Sequence, residues 1–112
     1  MQSGRFDLAQ AEFIETLKLD AGDADVSYSL GVVILKLKQK NSLALFHFAR
    51  AAAYQGVGAL SPNHPLNVRQ FTVMAFERSH GYDPETLAKL FDLAKRQPFP
   101  PDEFTIAKLR IN

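Results

Sequence analysis

One spacing recurs three times along this chain and limits what the chain can fold into. It reads Ala9-x3-Phe13-x2-Thr16, then Ala44-x3-Phe48-x2-Ala51, then Leu87-x3-Phe91-x2-Ala94. The first two occurrences are 35 residues apart and the third follows after 43. Steps of three and four place these residues on one face of a helix. A period near 34 with two helices per unit is the mark of stacked helical hairpins. Small residues let the next helix approach, the aromatic fills the gap, and one hairpin cannot bury its apolar face alone. The expected fold is therefore all-α, an α-α superhelix or solenoid of about three antiparallel helical hairpins.

Six helical segments follow from apolar spacing and stop signals. The first runs from about Arg5 to Leu19 and the second from about Asp25 to Gln39. The third, about Leu43 to Gln55, has Ser42 as its expected cap. The stretch from Gly56 to Pro65 holds two glycines and two prolines and reads as a loop. A fourth helix is expected from about Leu66 to Ser79, with Gly81 as its C-terminal cap. The fifth has Asp83 as N-cap, Pro84 at the first helical position and Glu85 in the first turn. The sixth, about Glu103 to Ile111, has Asp102 as its expected cap. A chain of 112 residues suits a single domain, 1–112. Within it, 4–55 carries the best-matching repeats and 66–112 a divergent hairpin plus a short last helix.

The stretch from Gly4 to Ala51 resembles the tetratricopeptide repeat family. Gly4-x-Phe6-x2-Ala9-x3-Phe13 looks like the end of one repeat, and Leu30-Gly31 followed by Ala44-x3-Phe48-x2-Ala51 like the next. Ser27 and Ile34 stand where that family has aromatic residues, and Ala21 where it has proline. From Gln70 onward the chain is also similar to the pentatricopeptide repeat, through "QFTVMAFERSHG" and the junction-like "PPDEFT". That second resemblance implies single-stranded RNA as a ligand, read at Thr72 and Asp102. The first implies a protein partner.

Charge favours the protein partner. Lys and Arg total 13 against 12 Asp and Glu, interspersed, for a net charge of +1. From Gly56 onward there are seven basic against six acidic residues, a poor footprint for nucleic acid. No apolar run approaches the ~20 residues of a membrane span. The start MQSGRFDLAQAEF lacks the apolar core of a signal peptide. The absence of cysteine removes thiolate chemistry and Cys-based metal sites and fits an intracellular compartment, the cytoplasm being the expected one.

Little points to catalysis. Glu77-x-x-His80 occurs once, whereas a di-metal bundle needs that pair twice with further carboxylates. His47, between Phe46 and Phe48, reads as a packed side chain, and His64 as a loop residue. Gly56 and Gly58 lack the Lys-Ser/Thr of a phosphate loop. No enzyme activity, cofactor or metal is expected. Lys36, Lys38 and Lys40 read as charges complementing the end of the second helix, with a contact for an acidic tail as the alternative. The groove face of Asp25, Tyr28, Val32 and Leu35 holds no Lys, Asn or Arg, which disfavours a carboxylate clamp there.

The expected binding surface lies on the second helix. Val26, Leu30, Val33 and Leu37 are claimed by stacking, whereas Tyr28, Val32 and Leu35 follow steps of four and three on another side. With Asp25 and with Thr72 of the fourth helix, they are expected to line a concave groove for a peptide or helix of another protein. The opening helix lacks its hairpin partner, so Phe6, Leu8 or Phe13 is expected to meet a second chain, with homo-dimerisation the outcome.

Overall fold

A computed structural model describes residues 2–61 and 67–110, with side chains from Gly4 onward. Asn63, His64, Pro65, the expected start at Leu66 and the expected end at Ile111 lie outside them. The described residues form six helices and no strand: α1 (Gln2–Leu19), α2 (Ala24–Lys36), α3 (Asn41–Ala53), α4 (Val68–His80), α5 (Pro84–Arg96) and α6 (Ile106–Arg110).

Three helix starts are set by a side chain one residue ahead. Asp23 Oδ1 accepts the Val26 N–H at 3.1 Å, Asn67 Oδ1 that of Gln70 at 3.0 Å, and Asp83 Oδ1 that of Thr86 at 3.1 Å. Each satisfies one of the donors that a helix start leaves open. Pro84 follows Asp83 at the first helical position, as expected. α4 ends at Gly81, whose φ of 80° favours a residue without a Cβ.

Two expected caps are corrected. Ser42 does not cap α3, which begins after Lys40 with no side-chain cap. Its hydroxyl instead accepts the N–H of Ile106 at 2.9 Å and so caps α6. Asp102 is exposed, and the chain turns at Glu103, with φ 56°, before α6 begins at Ile106. The expected start at Glu103 was therefore too early. α2 also stops at Lys36 rather than Gln39, because Lys38 adopts a left-handed conformation with φ 56°.

The helices are arranged around α3. It packs on α2, α4 and α5, and its buried residues surround its axis: Ala44, Leu45, Phe46, Phe48, Ala49, Ala51 and Ala53, with His47 and Arg50. Ala44 and Phe48 face a cluster with Leu17, Leu30 and Ile34. Leu45, Phe46, Ala49 and Ala53 face a second cluster with Phe76, Leu90, Phe104 and Ile106. At Gly31 a Cβ would collide with the Phe48 ring, so the glycine permits the close crossing of α2 and α3.

The recurring aromatics separate here. Phe48 and Phe91 are buried, whereas Phe13 is half-exposed on α1, which packs mainly on α2 and shares the Ala44–Phe48 cluster of α3 through Leu17. The two helices expected to form the divergent hairpin, α4 and α5, share one core cluster. Both dock on α3 without close backbone approach to one another, with Phe76, Leu87 and Leu90 filling the space between. The radius of gyration, 13.3 Å, matches the ~13 Å expected of a globular chain this long.

Candidate docking groove

α2 and α4 rest on α3 but do not approach each other closely, which leaves a trough between them. Leu35 lines it from α2, and the Tyr28 ring of the same helix lies against Phe71, whereas Val32 packs against the core cluster around Phe48. Phe71, Met74 and Ala75 form its α4 wall, where steps of three and four again put them on one face. Near Leu35 the trough deepens into a recess of about 290 Å³, bounded also by Asn41, Arg78 and Ser79. Leu35 is 41% exposed, Phe71 42% and Met74 54%. These values matter because three large apolar side chains on facing walls make a contiguous patch rather than scattered exposure.

Side-chain contacts join the walls at both ends of the trough. At one, the Tyr28 ring lies 5.5 Å from that of Phe48 and 6.2 Å from that of Phe71, and Phe48 and Phe71 meet edge-on at 5.0 Å. Such tilted and edge-on contacts are the favourable arrangements of aromatic pairs. At the other, Asn41 Nδ2 donates to Ser79 Oγ at 3.0 Å, and Ser79 Oγ donates to the Ala75 carbonyl at 2.9 Å. Asn41 and Ser79 therefore tie the start of α3 to the last turn of α4.

The expected site residues divide. Tyr28 and Val32 are half-buried, Leu35 is exposed in the wall, and Asp25 is exposed at the start of the same α2 stripe. Thr72 is corrected: it is fully buried, and its hydroxyl donates to the Val68 carbonyl at 2.7 Å. It faces α3, and its neighbour Phe71 takes the groove position. Phe71 and Met74 were not named as site residues, although both stand in the apolar spacing of α4. Burial also removes Thr72 from any base-reading role, and Asp102 sits on the turn before α6.

Two of the three histidines pack against aromatic rings. His47 is buried against Phe46 and Phe99, its Nδ1 has no hydrogen-bond partner, and burial pushes its pKa down to about 4. It is therefore a neutral core imidazole at pH 7. His80 packs on Phe76, and burial together with the nearby Arg110 lowers its pKa. Asp83 is held below the usual carboxylate range by its hydrogen bonds from Thr86 and by Arg110 at 2.8 Å. Among the described residues no three His, Asp or Glu side chains gather as metal ligands would.

Arg50 was not anticipated. It is buried, and no carboxylate among the described residues pairs with it; its guanidinium donates to the carbonyls of Ala94 at 3.2 Å, Lys95 at 2.8 Å and Ala21 at 2.9 Å. It also stacks over Tyr54, 4.1 Å from the ring centroid. The C-terminal carbonyls of α5 and the dipole they end supply the negative field that a buried cation requires. No helix of the described residues is long and apolar enough to cross a membrane. Comparison with protein-family models, curated proteins and solved structures yields no match.

Proposed function

We propose that this chain is a non-catalytic protein-interaction module or scaffold subunit, a tetratricopeptide-like stack of helical hairpins whose α2–α4 trough takes an apolar or amphipathic segment of a partner protein. The observation that supports the reading is the exposed patch of Leu35, Phe71 and Met74 on facing walls of one recess. Apolar surface gathered in a concavity is favourable to cover, and helices that rest apart on a common floor leave room for another.

The trough is tested by titrating the labelled protein with an uncharged amphipathic helical peptide and following amide shifts. Leu35, Phe71 and Met74 should move. Met74→Glu should abolish the response and leave the melting temperature within a few degrees of wild type, because Met74 contributes little to the core. Shifts confined to another face would end this reading. Val32→Glu is a less clean probe, because Val32 packs against the cluster around Phe48 and Leu30 and the change would also destabilise the fold.

A further inference from the structure

The trough has an electrically distinct end. Lys36 follows Leu35, Lys38 and Lys40 lie on the turn that leads to Asn41, and Arg78 bounds the same recess from α4. All four are exposed, and none has a carboxylate partner among the described residues. The α2 terminus does not occupy the lysines as hydrogen-bond donors. The carbonyls of Val33, Ile34 and Leu35 accept the backbone N–H groups of Leu37, Gln39 and Lys38. The turn is fixed from outside as well, since Gln39 exchanges side-chain hydrogen bonds with Gln10 of α1 at 2.8 and 3.3 Å. Glu77, the nearest acid in sequence to Arg78, stands off the row formed by Phe71, Met74, Ala75 and Arg78.

On the interaction reading above, we infer that the trough's partner is an amphipathic helix carrying acidic residues where its apolar face reaches the Asn41–Ser79 end. The walls are two helix ridges over a helical floor, which suits a third helix, and no strand among the described residues offers an edge for an extended peptide. Glutamate or aspartate at that end meets Arg78 in the recess, which can take a carboxylate through two parallel N–H donors, with the exposed Lys36, Lys38 and Lys40 on the adjoining turn adding to the positive field. A second copy of this chain, docked face to face through the same groove, would bring like charges together.

The test uses the whole chain and three synthetic helical peptides with the same leucine face. They carry glutamate, glutamine or lysine at one end. The glutamate peptide should bind about tenfold more tightly than the glutamine peptide at low salt, and the gap should close near 0.5 M salt. Lys40→Glu with Arg78→Glu should reverse the order in favour of the lysine peptide, with circular dichroism unchanged. Equal binding of the glutamate and glutamine peptides, lost in Met74→Glu, would overturn the acidic partner and keep the groove. Failure of all three peptides would remove the groove itself. Single-stranded RNA that binds, and is released by the charge reversal when no peptide binds, would overturn both, as would a dimer that Met74→Glu dissociates.

Discussion

At the scale of single residues, two buried polar side chains carry unusual weight. His47 is neutral in the fold, with its pKa lowered to about 4 from 6.5. Protons therefore bind the unfolded chain first as pH falls. Stability from this group is complete above pH 6.5, declines between 6.5 and 4, and reaches its floor below 4, a loss of about 3 kcal/mol. Urea midpoints at pH 7 and pH 4.5 check this, and His47→Leu should fall less over the same interval than wild type. Arg50 spans the α1–α2 turn and the end of α5. Arg50→Ala should cost about 3 kcal/mol, because three carbonyls lose their donor. Arg50→Lys should recover little, since a single ammonium cannot reproduce a planar fork that donates in two directions. A lysine variant as stable as wild type in denaturant melts would refute that account.

At the scale of elements, the sequence was legible wherever a signal was local. Asp83-Pro84 set the start of α5, and Gly81 the end of α4, because caps act within one turn. Ser42 was read wrongly because a serine before an apolar run is the ordinary cap of the next helix, whereas here its acceptor meets a donor 64 residues away. Thr72 was misplaced for a related reason. α4 has apolar residues on both sides, Val68, Val73 and Phe76 as well as Phe71 and Met74, so spacing alone could not say which side meets α3. Arg50 left no trace in the sequence, since its partners are backbone carbonyls. Ser42→Ala should cost about 1 kcal/mol, as other lost caps do. Hydrogen exchange should locate the loss: α6 amides quicken and those of α3 do not. Uniform acceleration would place the hydroxyl's role elsewhere.

At the scale of the whole molecule, α3 is the hub and α1 the outlier. α1 packs mainly on α2 and leaves Phe6 and Phe13 half-exposed and Leu8 exposed. The expectation of a second chain on this face becomes a solution prediction: light scattering should show a dimer forming as concentration rises, and Leu8→Glu should return it to monomer. A wild type that stays monomeric at high concentration would rule this contact out.

The hub also orders events during synthesis. A ribosome delivers α2 and α3 as a pair able to cover the Phe48 side at once. The other side of α3, with Leu45, Phe46 and Ala49, stays bare until α4 and α5 have emerged. In that interval the nascent chain displays a greasy helix face of the kind chaperones hold. The hydroxyl of Ser42 is synthesised long before Ile106, so the acceptor that caps α6 waits on a donor 64 residues away.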